Sequence, residues 1–197
     1  MQDEQPLSEQ ESLALITQMI NKAKCDYAET GVECLMWGSI ITLCSIISYS
    51  GYLTGNLYLD NIWYLVFAAI PLQIIISARQ ARRKKYTTYN DDAMGGIWIS
   101  FGISILLFSF YDHKFQPPSA NTMFLIIYGI PTFATGFARR FKPMLIGGIA
   151  CWLLAIASAF TPFPYIMLYG IIAAQLAWFI PGLILRGKYL KAKKGNV

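Results

Sequence analysis

Six stretches of this chain hold no charged side chain: Cys34 to Leu53, Ile62 to Ala78, Ala93 to Tyr111, Thr122 to Ala138, Met144 to Phe160 and Tyr165 to Leu185. Each is 17 to 21 residues long. At about 1.5 Å of rise per residue, helices of that length match a hydrocarbon core of about 30 Å. Backbone N–H and C=O groups in lipid must be satisfied within the segment, so uninterrupted apolar runs of this length read as helices. Composition agrees: 55% of residues are apolar, 14% are charged and the mean hydropathy is +0.44. A soluble domain carries about 25% charged residues, and buried helices of a soluble core need more amphipathic cover than 197 residues supply. The expected fold is all-α: a polytopic membrane protein with six transmembrane helices. The six-helix bundle spans residues 31–186, a cytoplasmic unit precedes it over 1–30, and a basic cytoplasmic tail follows over 187–197.

Of the sixteen Lys and Arg residues, fifteen fall in the N-terminal tail, the even-numbered connections and the C-terminal tail. The odd-numbered connections hold only Lys114. This positive-inside bias places both termini in the cytoplasm. Tyr49, Tyr52, Tyr58, Trp63, Tyr64, Tyr111, Phe163 and Tyr165 sit at the opposite ends, as an interfacial aromatic belt does. The net charge of +5 is therefore a topology signal directed at the lipid bilayer, and it does not point to nucleic acid. The acidic opening MQDEQPLSEQ has no basic region followed by an apolar one, so no secretory signal is read. Cys25, Cys34, Cys44 and Cys151 form no CxxC and read as reduced, small apolar side chains.

Ser8 and Glu11 fit a capping box, after which Leu13, Ile16, Ile20, Ala23 and Tyr27 recur at steps of three and four. The spacing predicts an amphipathic cytoplasmic helix that ends near Thr30-Gly31. Its apolar face needs cover, from the inner loops, the bilayer, a protein partner or a second copy. Leu13, Ile16, Ile20 and Tyr27 are the candidate partner surface. The acidity of the segment disfavours a purely lipid-bound helix.

Three Ile-Pro pairs fall one in each even-numbered span, at Pro71, Pro131 and Pro181. Arg79 and Arg139 each follow their proline by eight residues and Arg186 by five, while Trp37, Trp98 and Trp152 precede the prolines by 34, 33 and 29. Gly95-Gly96-Ile97 and Gly147-Gly148-Ile149 also correspond. The pattern reads as an internal repeat of three sequential hairpins in one orientation, related by an axis along the membrane normal. Each proline deletes one helical hydrogen bond and crowds the carbonyl four residues back, at Phe67, Ile127 and Ala177. Such turns should face protein or enclosed water. With the nearby polar side chains, the candidate pocket or helix-break residues are Pro71, Gln73, Pro131, Thr132, Thr135, Gln175 and Pro181. Small residues four apart (Gly38/Thr42, Ser100/Ser104, Ala155/Ala159, Ala173/Ala177) allow close helix approach.

No Asp, Glu, Lys, Arg or His lies in the middle of a span, and His113, in the loop DHKFQPPSAN, is the only histidine. Intramembrane ionisable groups mark proton relays and ion paths, so the chain reads as no enzyme, with no metal site and no cofactor. The segments ESLALITQMI, Met36-Trp37-Gly38-Ser39, Asp92-Ala93-Met94, YGIPTFATG (Tyr128 to Gly136), FKPMLIGG (Phe141 to Gly148) and AWFIPGLILR (Ala177 to Arg186) resemble a group of short six-span inner-membrane proteins from Bacteroidetes. The resemblance covers nearly the whole chain. It implies the bacterial inner membrane and carries no activity. Two functions remain: a membrane sensor or scaffold whose N-terminal helix engages a partner, or a small-solute binder or transporter with a pocket between the hairpins. Size and span number are also similar to the substrate-capture subunits of vitamin transporters, whose ligand motifs are absent here.

Overall fold

The computed structural model describes residues 30–83, 89–117 and 120–194. Among these the chain is helical throughout, with no strand. Helix α1 runs Val32–Thr54; a 3-10 turn, Leu57–Trp63, leads into α2, Tyr64–Arg83; α3 runs Tyr89–Phe115, α4 Ala120–Ala138 and α5 Lys142–Ser158. The last rod comprises α6 (Ile166–Ala174), one turn of π-helix (Gln175–Phe179) and α7 (Ile180–Lys194). Val32–Thr54, Tyr58–Arg82, Asp91–Phe115, Ala120–Ala138 and Ile166–Lys194 are each long and apolar enough to cross a membrane. These helices fit a multi-pass membrane protein. Helix α5 is equally apolar but has 17 residues, which makes it about 26 Å long. The expected cytoplasmic helix, with Leu13, Ile16, Ile20, Tyr27 and Cys25, lies outside the described residues.

Local chemistry sets the helix ends. Gly31 opens α1 at φ 69° and Gly55 closes it at φ 70°, left-handed values that cost glycine little. Beyond Gly55, the Asn56 N–H reaches back to Gly51 O at 2.9 Å, closing the last turn. Helix α5 carries Pro143 in its first turn, where no intrahelical N–H is needed. Helix α3 runs further than the sequence suggests: His113 and Lys114, expected in a loop, occupy its last turn, where cations suit the helix dipole. At its other end Asp91 and Asp92 stand in the first turn, and Asp91 pairs with Arg139 at 3.8 Å.

The core lies among α1, α4, α5 and the long α6–α7 rod. Helices α4 and α5 form the most extensively packed pair, and α1 packs along the rod from α6 to α7. Helices α2 and α3 are peripheral: α2 leans on α1 and the 3-10 turn, and α3 on α4. Only 6% of the apolar window of each is buried, against 28–33% for α1, α4 and the rod. The tightest pair thus joins the second span of one sequence hairpin to the first span of the next. Glycine placement explains this. A Cβ on Gly129 of α4 would lie 2.3 Å from Trp152 Nε1 of α5, and one on Gly148 of α5 would lie 2.7 Å from Phe133 N of α4. Bare backbone at these points lets the two helices close together.

The ends of α2 and α4 and the starts of α1, α3 and α5 gather at one end of the bundle. Besides the Asp91–Arg139 pair, Ser77 Oγ donates to Glu33 Oε1 at 2.9 Å, joining the end of α2 to the start of α1. Lys188 Nζ stands 5.1 Å from the centre of the Phe141 ring. At the opposite end, Tyr52 meets Phe163 edge to face at 4.7 Å.

Candidate functional site

Of the seven candidate residues, five lie in the interior of the bundle, the three polar ones each on its own partner. Pro131, Thr132, Thr135 and Pro181 are buried, and Gln175 is half-buried. Pro71 is exposed on the outer side of α2 and Gln73 is bonded to α1, so these two stand apart. The exposure of Pro71 departs from the expectation that all three proline turns face protein. The reason is that α2 has only one side covered.

Each polar side chain near a proline is engaged by another helix. Trp178 Nε1 donates to Thr132 Oγ1 at 3.1 Å, and Trp98 Nε1 donates to Thr135 Oγ1 at 3.1 Å. Both threonine hydroxyls donate in turn to the carbonyl four residues back, Tyr128 O at 2.8 Å and Pro131 O at 2.7 Å. Gln175 Nε2 donates to Thr42 Oγ1 at 2.7 Å, and Thr42 donates to Gly38 O at 2.7 Å. On α2, Gln73 Oε1 accepts from Trp37 Nε1 at 2.8 Å, while Gln73 Nε2 donates to Ser77, which donates to Glu33. Among the described residues no buried side-chain N or O atom lacks a hydrogen-bond partner. In lipid, where water is absent, this is the condition a polar side chain must meet.

The three tryptophans of the expected repeat are not bonded alike. Trp37 and Trp98 each donate to a side chain just past the proline of the next helix, Trp37 to Gln73 and Trp98 to Thr135. Trp152 instead donates backwards, to Ile126 O at 3.3 Å. The glycine pairs differ likewise: Gly147 and Gly148 are clamped between elements, while Gly95 and Gly96 face open space.

At Pro181 the chain uses a π turn. The Ile180 N–H donates to Gln175 O, five residues back, so in this register the proline's missing bond falls at Leu176 O instead of at Ala177. Gly147 faces that oxygen: a Cβ built on it would lie 2.5 Å from Leu176 O. The bare Cα of Gly147 is what lets α5 come this close to the carbonyl the proline leaves free.

Above this turn the rings of Trp98, Phe101, Tyr128 and Trp178 interlock. Tyr128 and Trp178 meet edge to face at 5.1 Å, Phe101 and Trp178 at 6.3 Å, and Trp98 and Phe101 at 5.5 Å. This cluster anchors α3 to the core. Trp178 stands three residues before Pro181, and that spacing was the available sequence signal for it. The space bounded by Ile41, Tyr128, Cys151, Ala173, Ala177 and Trp178 is about 10 Å³, at the lower edge of what one water molecule needs, about 10–15 Å³. Cys34, Cys44 and Cys151 carry free thiols. Among the described residues no three His, Cys, Asp or Glu side chains stand together in a way that would hold a metal ion. No family model, curated protein or solved structure matches the chain.

Proposed function

We propose that the chain is a six-span, non-enzymatic membrane scaffold of the bacterial inner membrane. Both termini face the cytoplasm, and the helix from Ser8 to Tyr27 is its contact with a protein partner or a second copy. In this reading α5 also spans, as the fifth of the six in chain order. It lies along α4 and presents Ile146, Leu153 and Ile156, each 62% exposed, as a face for lipid. One observation carries the choice of scaffold over solute carrier: the polar side chains beside the buried prolines are committed to bonds between helices.

The test is purification of the full chain in mild detergent, followed by mass spectrometry of co-eluting protein. Stoichiometric co-elution that Ile16→Glu with Ile20→Glu abolishes supports the scaffold. Co-elution indifferent to these changes removes the N-terminal helix as the contact. Thermal stabilisation by an apolar or amphipathic small molecule, lost in Gln175→Leu, overturns the scaffold reading in favour of solute binding.

A further inference from the structure

The turn from α4 into α5 forms a groove of about 480 Å³, lined by Gly136, Phe137, Ala138, Arg140, Lys142 and Leu145. Its floor is backbone: a Cβ on Gly136 would lie 2.4 Å from Leu145 N, so the helices touch there. Phe137, 70% exposed, and Leu145 form apolar walls that continue along the outer face of α5 at Ile146. Arg140 and Lys142, both exposed, stand at the mouth.

The neighbouring basic residues have local roles. Arg139 pairs with Asp91, Lys188 lies over Phe141, and Arg186 lies over Tyr189 at 5.6 Å. Arg140 and Lys142 have no carboxylate or ring partner among the described residues. Nor is the Arg140 side chain needed to cap α4. The Phe141 N–H reaches Gly136 O at 2.8 Å and the Arg140 N–H reaches Phe137 O at 3.2 Å, so backbone already closes that helix. Arg140 adopts φ 50°, a left-handed value at which glycine carries no penalty. That value is the geometry this 6→1 backbone closure requires of the residue after the helix end, so the turn accounts for it and the Arg140 side chain is left with no part in capping α4.

We propose that this groove binds an anionic phospholipid, with the phosphodiester between Arg140 and Lys142 and an acyl chain against Phe137 and Leu145. The proposal rests on the chain being membrane-embedded and does not depend on its orientation or its partner. Charge complementarity selects the headgroup, since two unpaired cations at one mouth suit a phosphate oxyanion. The apolar walls select a lipid over a free anion, because inorganic phosphate uses only the mouth.

The experiment is thermal unfolding of the full chain in neutral detergent, with added phosphatidylglycerol, phosphatidylcholine of the same acyl chains, or inorganic phosphate. Phosphatidylglycerol is expected to raise Tm above the phosphatidylcholine value, and inorganic phosphate to leave it unmoved. Arg140→Gly combined with Lys142→Gln should lose more than half of that increment. Because glycine suits φ 50°, the same variant should match or exceed wild-type Tm in phosphatidylcholine. Arg79→Gln with Arg82→Gln, an equal charge change on α2, should keep the increment. The proposal fails if the groove variant retains it, if the α2 variant loses it equally, or if inorganic phosphate reproduces it. It also fails if the groove variant is destabilised in phosphatidylcholine, because the two cations would then serve a contact within the chain.

Discussion

The indole N–H of Trp178 is held by the hydroxyl of Thr132, 3.1 Å away, one residue beyond the proline of α4. The bond joins the π turn of the last rod to the centre of α4, with both partners buried. The hydroxyl receives the indole proton while its own goes to Tyr128 O, so one threonine satisfies an indole and supplements a helix carbonyl. The arrangement holds helices together without leaving a polar atom to recruit a solute.

Thr132→Val keeps the volume and strips the acceptor from Trp178. An unsatisfied buried donor costs about 1–3 kcal/mol, and hydrogen bonds between membrane helices average about 0.6 kcal/mol. We expect a loss of about 1–2 kcal/mol, with Thr132→Ser closer to wild type. Adding Trp178→Phe should cost less than the sum of the two single changes, because the pair is removed together. Reversible unfolding in mixed detergent micelles measures these variants against wild type.

Gly147→Ala and Gly148→Ala place a methyl 2.5 Å from Leu176 O and 2.7 Å from Phe133 N respectively. Overpacking against backbone costs about 1–3 kcal/mol or more. Gly95→Ala and Gly96→Ala meet nothing within 4 Å and gain helix propensity of about 0.5–1 kcal/mol. Thermal unfolding of the four variants should therefore split them into two destabilised and two unharmed. A harmless Gly147→Ala would contradict the close approach of α5 to the π turn.

The three prolines should respond differently to alanine. Pro71→Ala, on the exposed side of a peripheral helix, should leave stability equal or higher, since it restores one hydrogen bond. Pro181→Ala lets the π turn relax to the α register, rotating α7 by about 100° relative to α6. That rotation would pull Gly182 from its seat on the start of α1, where a Cβ would lie 2.9 Å from Leu35 N. Pro181→Ala should therefore lower Tm. Thermal unfolding of Pro181→Ala and Pro71→Ala beside wild type checks this, with only the first expected to fall.

Reporter fusions test the orientation. Fusions after Lys85, Lys142 and Lys194 should report cytoplasm, and fusions after Gly55 and Ser119 the opposite side. A periplasmic signal at Lys142 would overturn the six-span reading, and cytoplasm at Lys142 with the opposite side at Lys194 would remove α5 as a span. The expectation rests on the charge bias of the connections.

The helices themselves were legible in the sequence. Charge-free runs mark them because lipid tolerates neither exposed charge nor unpaired backbone, and Val32–Thr54 and Ala120–Ala138 differ from their apolar runs by at most two residues at either end. The polar side chains beside Pro131 and Pro181 were legible as well, since anything polar in such a run must find a partner. Which partner was not legible: Thr132 waits for Trp178, 46 residues on, and Thr42 for Gln175, 133 residues on.

By itself the sequence determined which segments are helical and apolar, and which connections carry the basic residues, because both follow from local transfer free energies. Only the tertiary structure decided that the two Gly-Gly-Ile motifs do different work, one clamped between α4 and the π turn and one facing outward. It likewise decided that α4 pairs most closely with α5 and that α2 and α3 stay at the rim. Helix pairing inside a bilayer gains little from hydrophobicity, because lipid is as apolar as the partner helix. It turns instead on where bare backbone meets bare backbone and where a single indole finds an acceptor, and such matches exist only between segments already brought together.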